Sequence, residues 1–368
     1  MQTLRFGMVG CGQRSDHFFK MAQAIKDVAF VATCASHLES AQRKGTAYGI
    51  TAHFDEYETM MDEVELDAVF VITPQSVHAE VCLAAFERGL HVLNEKPMAT
   101  SFENCQAMVR AADKSGVVFM SLPYEMVSPM LTAQSLLKEE YIGKITGAEA
   151  CLNIPGPARD NWYYKRSIAH GGAMLDCMVY PVSRVINLLG PARRVTGFVN
   201  NLIPRRIVDG GRQIRSDVDD NVTLLVEFEG GQVAVLRTLW GTACEENSTT
   251  VYGREGTIAL SSDGRTILQY RDRVHRSANA KPVEWRDWEG CVEVPQVAVT
   301  ENTVEHFVRC LREGTEPSCS GRRQLHIHEI LFKGYDAARE GRTLTLETSF
   351  TPWHSLDKRL FDTSSTFI

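Results

Sequence analysis

Short apolar runs alternate with amphipathic stretches over roughly the first third of the chain. The apolar runs have the length of buried strands and cover residues 4–9, 30–34, 68–72, 91–93 and 117–120. The stretches between them have apolar residues at helical spacing and predict helices over residues 15–25, 38–48, 57–63, 76–88 and 102–114. Such alternation is typical of βαβ units around a parallel sheet. We therefore predict a doubly wound α/β Rossmann domain over residues 1–124.

The pattern changes after about residue 125. A helical pattern over residues 173–189 precedes strand-like runs with Gly-containing or short turns, at residues 222–227, 232–240, 248–252 and 256–261. Two late helical patterns cover residues 303–313 and 324–339. We predict an α+β domain with a large, mostly antiparallel sheet over residues 125–345, which binds substrate and mediates oligomerisation. Residues 346–368 form a tail to which the sequence assigns no role.

Composition and charge exclude several classes of partner. The 368 residues are 44% hydrophobic and 23% charged, which is ordinary for a globular protein of two domains. A formal charge of −7 provides no excess of cations for nucleic acid or an anionic membrane.

The ten cysteines are scattered singly along the sequence, as in proteins of a reducing compartment. The first strand pattern leaves no room for a signal peptide, and no apolar stretch approaches the roughly 20 residues that span a bilayer. We expect a cytoplasmic protein.

A glycine-rich turn joins the first strand to the first helix. The segment Gly10-Cys11-Gly12-Gln13-Arg14-Ser15 has the pattern G-x-G-x-x-S. Gly10 permits a tight turn, Gly12 lets a pyrophosphate approach the backbone, and the helix N–H groups attract the anion. Ser15 replaces the third glycine and is small enough for close packing. We predict a dinucleotide site that includes Gly10, Gly12, Gln13 and Arg14.

The end of the second strand bears on the choice of dinucleotide. It reads Ala35-Ser36-His37 and lacks the carboxylate that binds the ribose of NAD. Ser36 and His37, with the nearby Arg43 and Lys44, suit a 2′-phosphate. The sequence therefore favours NADP, with NAD as the alternative. Ser36 could instead only cap the following helix.

Several motifs occur together along the chain: Thr73-Pro74 with His78, Glu95-Lys96-Pro97, and Gly171-Gly172 with Asp176 and Tyr180. A strand that opens at Asp219 and Asn221 and ends at Gly230-Gly231 accompanies them. This combination resembles the Gfo/Idh/MocA family of oxidoreductases over nearly the whole chain, to about residue 345. The resemblance implies a nicotinamide cofactor bound also by Thr73, Pro74, His78, Glu95 and Lys96. It implies a catalytic set of Lys96, Asp176 and Tyr180, in which tyrosine occupies the place where many relatives have histidine.

The chemistry of a dehydrogenase gives this set a purpose. A base must take the alcohol proton as hydride leaves the carbon. Asp176 and Tyr180 are four residues apart, so a continuous helix would present them on one face. A tyrosine has a pKa near 10, which a neighbouring ammonium such as Lys96 would lower. The alternatives are a buried structural tyrosine, and a Glu95 that only satisfies backbone donors.

One segment departs from the family pattern. Many relatives have an Asn and an Arg after the strand predicted at residues 117–120, whereas this chain reads Pro123-Tyr124-Glu125-Met126-Val127-Ser128-Pro129. Contacts to nicotinamide or substrate in this segment are therefore unassigned.

Residues on the substrate side are predicted from composition. Residues 159–166 combine Trp162 with tyrosines and charged groups, and His170 follows. Aromatic faces with hydrogen-bond donors suit a sugar or cyclic polyol, although a loop at a subunit interface would have the same composition. We predict that substrate contacts Lys96, Trp162, His170, Asp176 and Tyr180. His326 and His328 are assigned to the surface or the core, and no metal site is predicted.

The predicted function is hydride transfer between NAD(P) and a secondary alcohol or carbonyl of a sugar, cyclic polyol or sugar derivative. Two alternatives remain: an NAD-dependent glycoside hydrolase that oxidises its sugar transiently, and a dinucleotide-sensing regulator without chemistry. A regulator should lack the Lys, Asp and Tyr set, which this chain has. The second face of the antiparallel sheet has too few helices to cover it, which predicts a homodimer or homotetramer.

Overall fold

A computed structural model describes residues 3–159, 162–270 and 290–352. Its contacts divide the chain into two compact units. The first comprises Met1–Tyr124, Asn161–Asp176 and Thr300–Phe332; the second comprises Glu125–Asp160, Cys177–Val299 and Lys333–Ile368. The predicted domains have boundaries at residues 124 and 345, whereas by contacts two later segments pack with the first unit.

The helices within the described residues are α1 (Ser15–Gln23), α2 (Leu38–Ala47), α3 (Tyr57–Glu63), α4 (His78–Glu87), α5 (Phe102–Ser115), α6 (Ser128–Lys138), α7 (Arg166–Ala169), α8 (Ala173–Asp176), α9 (Val179–Leu189), α10 (Thr303–Glu313) and α11 (Gly321–Glu340). The strands are β1 (Leu4–Val9), β2 (Val28–Cys34), β3 (Ala52–Phe54), β4 (Ala68–Val71), β5 (His91–Asn94), β6 (Phe119–Ser121), β7 (Ile145–Ile154), β8 (Ala192–Asn200), β9 (Arg205–Val208), β10 (Arg212–Arg215), β11 (Asn221–Phe228), β12 (Val233–Trp240), β13 (Glu246–Gly253), β14 (Gly256–Leu260), β15 (Thr266–Tyr270), β16 (Gly290–Glu293) and β17 (Leu344–Thr345). Short 3-10 turns cover Gln75–Val77, Trp162–Tyr164 and Asp209–Gly211.

The first unit contains a parallel six-stranded sheet in the order β3-β2-β1-β4-β5-β6. The strand order reverses between β1 and β4, which is the switch point at which doubly wound sheets bind ligands. The predicted Rossmann fold is confirmed, although the three-residue β3 was not predicted. Helix α5 begins and ends as its sequence requires: the Ser101 hydroxyl accepts a hydrogen bond from the Asn104 N–H at 3.2 Å, and Gly116 ends the helix with φ of 67°.

The sheet of the first unit has a hydrophobic core on each face. On one face Phe70 contacts Phe6 and Phe307, with ring centroids 5.1 and 5.6 Å away. On the other face Val69 and Val71 are fully buried. Because both faces are covered, the strands are continuous apolar runs rather than alternating ones.

The second unit contains a nine-stranded sheet in the order β16-β15-β14-β13-β7-β12-β11-β8-β17. Neighbouring strands are antiparallel except β7 and β12, which run parallel. The predicted mostly antiparallel sheet is confirmed. Helices α6 and α9 pack against this sheet, and β9 and β10 form a separate antiparallel hairpin. Helix α6 and the hairpin were not predicted.

The predicted continuous helix over residues 173–189 is wrong. Helix α8 ends at Asp176 and α9 begins at Val179, with a turn at Cys177 and Met178 between them. Pro181 explains the interruption, because proline has no N–H to donate to the carbonyl four residues earlier. That carbonyl, of Cys177, instead accepts from the Tyr180 N–H at 3.1 Å. A single helix face shared by Asp176 and Tyr180 is therefore not supported.

Candidate active site

The glycine-rich turn has the geometry of a phosphate-binding turn. Gly10 has φ of +101°, and a side chain there would place its Cβ 2.2 Å from the carbonyl oxygen of Ile72. No atom lies within 4 Å of the corresponding position at Gly12, which is exposed. The buried Ser15 donates its hydroxyl to the Gly12 carbonyl at 2.7 Å, so serine fits where a third glycine was expected. A phosphate group can thus approach the backbone closely from the open side of Gly12.

Three buried polar atoms lie where β4 and β5 end. They are Thr73 Oγ1, Gln75 Oε1 and Asn94 Oδ1, and none has a hydrogen-bond partner within the described residues. Buried polar atoms are normally paired, and an exception indicates a ligand or solvent site. These atoms lie at the carboxyl edge of the sheet, where Rossmann folds bind dinucleotides. Together with the Gly10 turn, they fit a nicotinamide dinucleotide.

Arg14 and Glu95 connect this turn to the lysine of the catalytic set. The Arg14 Nε donates to Glu95 Oε1 at 2.6 Å, and the Lys96 N–H donates to Glu95 Oε2 at 2.7 Å. The Glu95 side chain is 8% exposed and that of Arg14 is 54% exposed. Glu95 does satisfy a backbone donor, as the alternative assignment expected, and it also forms an ion pair. Gln13, also predicted to bind cofactor, is exposed on the same turn.

Lys96 and Asp176 come together within the first unit. The Lys96 Nζ donates to Asp176 Oδ1 at 2.5 Å and to the Asp176 carbonyl at 3.0 Å. Their side chains are 15% and 14% exposed. Little solvent screens this pair, so it is stronger than an exposed ion pair. Lys96 lies two residues after β5 and Asp176 ends α8, so the contact fixes α8 to the carboxyl edge of the sheet.

Two buried histidines support the turns that follow β4 and β5. Of the His78 ring nitrogens, Nδ1 lies 2.8 Å from the Pro97 carbonyl and Nε2 lies 3.0 Å from the Thr73 carbonyl. Burial lowers the pKa of His78. His328 Nε2 accepts from the Met98 N–H at 2.7 Å, and burial lowers its pKa to about 4. His78 is 1% exposed and thus contacts both turns from the protein interior. His326 and His328 are fully buried, so of the two positions that the sequence left open, surface or core, both lie in the core.

The end of β2 is more open. Ser36 and His37 are exposed, and α2 has no side-chain cap, so the alternative that Ser36 caps this helix is wrong. Lys44 Nζ lies 2.6 Å from Asp16 Oδ1 and lowers the pKa of that carboxyl. Tyr48 also donates to Asp16, at 2.9 Å. Lys44 is therefore engaged by a carboxylate, which leaves Ser36, His37 and Arg43 as the groups suited to a 2′-phosphate.

Within the first unit, the residues that follow the aromatic segment contact the turn after β4 through a residue that sequence reasoning missed. Gln75 donates its side-chain Nε2 to the carbonyl of Ala169, at the end of α7. Trp162 stacks on Tyr163 with ring centroids 3.9 Å apart. His170 is exposed and has φ of 58°. Asp160 and Asn161, which also belong to the predicted substrate segment, lie outside the described residues.

Tyr180 lies in the first turn of α9, in the second unit, and is half-buried. One turn later Arg184 is 8% exposed, and its guanidinium donates to the Asn247 side chain and to the Cys151 carbonyl at 3.3 Å. Burial lowers the pKa of Arg184, whereas the charges of Glu125, Cys151 and Tyr180 raise it. Burial likewise raises the pKa of Glu125, and Arg184 opposes that shift. Sequence reasoning missed Arg184, although an arginine within an apolar helical pattern was a signal.

Some features are absent from the part of the chain that the structure describes. No helix there is long and apolar enough to cross a membrane. Within the same residues, no group of three or more His, Cys, Asp or Glu side chains is arranged to bind a metal ion. All ten cysteines are free thiols.

Comparison with known proteins identifies the family. The model described as an oxidoreductase family with an NAD-binding Rossmann fold matches residues 4–122, and that of the Gfo/Idh/MocA C-terminal domain matches residues 130–259. The levoglucosan dehydrogenase of Pseudarthrobacter phenanthrenivorans is 27% identical over 301 residues, which cover 73% of this chain and 76% of that protein. The D-apiose dehydrogenase of Paraburkholderia graminis is 25% identical over 366 residues, which cover 95% of this chain and 91% of that protein.

A solved structure of levoglucosan dehydrogenase in complex with NADH and L-sorbose has the same fold. Its TM-score is 0.82 at 20% identity, over 95% of this chain and 100% of that chain. The predicted fold class and the predicted NAD(P)-dependent oxidoreductase function are confirmed. The named relatives are dehydrogenases, which gives no support to a hydrolase or a regulator. This chain belongs to the Gfo/Idh/MocA family of oxidoreductases.

Proposed function

We propose that this enzyme transfers a hydride between NADP and a secondary alcohol or ketone of a sugar or cyclic polyol. The observation that carries the proposal is the Lys96–Asp176 pair, which lies at the same sheet edge as Thr73 Oγ1 and Asn94 Oδ1. The relatives named for levoglucosan and D-apiose support a sugar or polyol as substrate.

The catalytic roles follow from the chemistry of each group. The nicotinamide, when bound, accepts or donates the hydride. Tyr180 takes the proton of the substrate hydroxyl, and Lys96 orients that hydroxyl and stabilises the phenolate, whose ordinary pKa is near 10. Asp176 keeps the Lys96 ammonium in place through the 2.5 Å contact, and its carboxylate would accept a hydrogen bond from a second substrate hydroxyl.

Cofactor contacts are proposed for the residues of the Gly10 turn and the sheet edge. Backbone N–H groups around Gly12 would bind the pyrophosphate, and Thr73 and Pro74 would contact the nicotinamide. At the end of β2, Ser36 and His37 would donate to the 2′-phosphate of NADP, and Arg43 would offset its charge. His78 acts through the turns that it contacts.

Substrate contacts are proposed for Trp162 and His170 in addition to the catalytic set. The stacked rings of Trp162 and Tyr163 offer an aromatic face to the C–H surface of a sugar, and the exposed His170 offers a ring nitrogen to a hydroxyl.

A cytoplasmic location stays a prediction from the cysteine pattern.

A screen of sugars and cyclic polyols against NADP and NAD, followed by nicotinamide absorbance, tests the function. We expect stoichiometric formation of reduced cofactor with at least one cyclic polyol or sugar. Product release without net reduction of the cofactor would point to the glycoside hydrolase alternative. Tight cofactor binding without turnover of any sugar or polyol would point to a regulator.

We also propose that the enzyme is a homodimer or homotetramer that assembles through the outer face of the nine-stranded sheet. Leu225 and Val235 are directly paired on this face and are 43% and 39% exposed. By strand register Phe198 shares the face and is 76% exposed. Exposed apolar patches of this kind indicate an interface. Light scattering should give a multiple of the 41.1 kDa chain mass, and Leu225→Glu should lower it; a monomeric wild type would contradict the proposal.

A further inference from the structure

We propose that Gln75 is a positioning residue that couples cofactor binding to the order of residues 162–176, the segment that carries Trp162, His170 and Asp176. The inference deepens the proposed function and rests on it, because it assigns a device within the same site. Gln75 belongs neither to the catalytic set nor to the predicted cofactor contacts.

The first step is the contact itself. Gln75 lies in the 3-10 turn between β4 and α4, is 2% exposed, and donates Nε2 to the carbonyl of Ala169. The amide orientation is fixed by chemistry, since only the NH₂ group of a glutamine can donate to a carbonyl. Helix α7 packs against this turn, and Ala169 is fully buried. The hydrogen bond is therefore shielded from competing water.

The second step is where this carbonyl lies in the chain. It is followed at once by His170, whose φ of 58° is a conformation that residues other than glycine rarely adopt. Such a backbone persists only when neighbouring contacts fix it. Beyond it, α8 ends at Asp176, which Lys96 contacts at 2.5 Å. Gln75 and Lys96 thus fix the segment at two points, from the ends of β4 and β5.

The third step is the other half of the Gln75 amide. Its Oε1 is buried and has no hydrogen-bond partner within the described residues, and the same holds for Thr73 Oγ1 two residues earlier. Both atoms lie at the carboxyl edge proposed for the dinucleotide. A donor on the bound cofactor would satisfy Oε1 and immobilise the amide. An immobile amide then keeps Nε2 on the Ala169 carbonyl, so that cofactor binding orders the substrate segment.

Hydrogen–deuterium exchange with and without NADPH tests this coupling and needs no substrate. In the wild type, we expect peptides that cover residues 162–176 to exchange about tenfold more slowly when NADPH is bound. In Gln75→Met, which retains the size of the side chain and removes both amide groups, we expect NADPH to bind but this slowing to disappear. A bond with only a structural role would speed exchange in the free enzyme and leave the NADPH-dependent slowing intact.

The chain offers a matched control. Gln134 in the second unit is 5% exposed, donates Nε2 to the Asn187 carbonyl at 3.1 Å, and has an Oε1 without a described partner. Gln134→Met should leave the NADPH-dependent slowing at residues 162–176 unchanged. If Gln75→Met fails to fold, Gln75→Glu removes the donor and retains an acceptor, and the slowing should again disappear.

The outcomes separate this inference from the proposed function. If NADPH slows exchange around residues 10–15 in all variants but Gln75→Met and Gln75→Glu retain the slowing at residues 162–176, the coupling is overturned and the cofactor site stands. If NADPH protects neither region of the wild type, the proposed cofactor site itself is wrong.

Discussion

Two regions of the first unit bury polar side chains, and they differ in whether the buried polar atoms have hydrogen-bond partners. At the ends of β4 and β5, Thr73, Gln75 and Asn94 each have a buried oxygen without a described partner. Beside α10, the Glu301 carboxylate accepts from His306 Nδ1 at 2.6 Å and from Arg309 at 2.9 Å through two nitrogens. There the remaining His306 nitrogen accepts from the Ser318 N–H at 2.9 Å.

We interpret this difference as one between a region that binds a ligand, at the ends of β4 and β5, and a region that stabilises the fold, around Glu301. Leaving a buried polar group unpaired costs about 1 to 3 kcal/mol, so a fold tolerates several at one edge where a ligand can pair with them. The Glu301 cluster, in contrast, is complete without a ligand and fixes α10 to the loop at Ser318. The buried Tyr124 hydroxyl near the second region is an exception, because it has no hydrogen-bond partner within the described residues. The Tyr124 ring lies 5.0 Å from the His306 ring. We expect substitutions in the first region to affect binding and turnover, and substitutions in the second to affect stability.

The largest effect is expected at the catalytic set. Lys96→Met and Tyr180→Phe should each lower kcat by about a hundredfold or more, equivalent to about 2.7 kcal/mol, because an acid–base group or its cation is lost. Dinucleotide binding should change little in either variant. Lys96→Met should also lower thermal stability, because it leaves the largely buried Asp176 carboxylate without its cation. Steady-state kinetics with the best substrate of the screen and a fluorescence titration of NADPH measure both effects.

Tyr335→Phe is the matched control for Tyr180→Phe. The Tyr335 hydroxyl donates to Asp219 Oδ1 at 2.6 Å in the second unit, and the proposed chemistry does not use it. This variant should retain turnover and lose some stability. Near-normal turnover in Tyr180→Phe would remove tyrosine from the proposed role.

A slightly smaller effect is expected at the Glu301 cluster. Although burial raises it, hydrogen bonds from Arg309 and His306 bring the pKa of Glu301 down to about 2, against an ordinary value of 4.5. Because the folded-state pKa is lower, the carboxylate contributes stability above pH 4.5 that is lost as pH falls from 4.5 towards 2. Glu301→Gln should lower the free energy of unfolding by about 2 kcal/mol at neutral pH without changing kcat.

Denaturant unfolding at a series of pH values measures this. The difference between Glu301→Gln and the wild type should shrink as pH falls below 4.5. A loss of stability that is independent of pH in that range would mean that the ion pair is not its cause.

The smallest effect concerns the choice of cofactor. Ser36, His37 and Arg43 are the groups proposed to bind a 2′-phosphate, whereas Lys44 is engaged by Asp16 at 2.6 Å. We therefore expect NADPH to bind more tightly than NADH by only about 1 to 2 kcal/mol, or roughly five- to thirtyfold. Ala35→Asp should shift the preference towards NADH, because a carboxylate repels the phosphate and accepts from the ribose. Fluorescence titrations decide this, and equal affinities in the wild type would refute it.

Much of the fold was predictable because its signals are local. The strand–turn–helix around Gly10, the Ser101 cap and the Gly116 stop each depend on residues close in sequence. The interruption before α9 was also readable, since Pro181 cannot continue the helix from Cys177. It was missed because the apolar spacing continues through it.

The remainder depends on contacts between distant segments. That Gln75 reaches Ala169, 94 residues away, follows only from how α7 packs on the turn after β4. The Lys44 contact with Asp16 likewise joins two helices whose approach the sequence does not specify. Such pairings decide which polar groups remain available to a ligand, and for that reason the structure reduces the set of groups assigned to the 2′-phosphate.

Direct transfer of hydrogen from substrate to cofactor is the most direct test of the central claim, hydride transfer at the edge formed by Lys96 and Asp176. The best alcohol of the screen is labelled with deuterium at the oxidised carbon, and the reduced cofactor is analysed by mass spectrometry. We predict one deuterium in each reduced nicotinamide formed by the wild type and by Tyr335→Phe, with formation reduced at least about a hundredfold in Lys96→Met. Release of the label to water, or unchanged label transfer in Lys96→Met, would contradict the account.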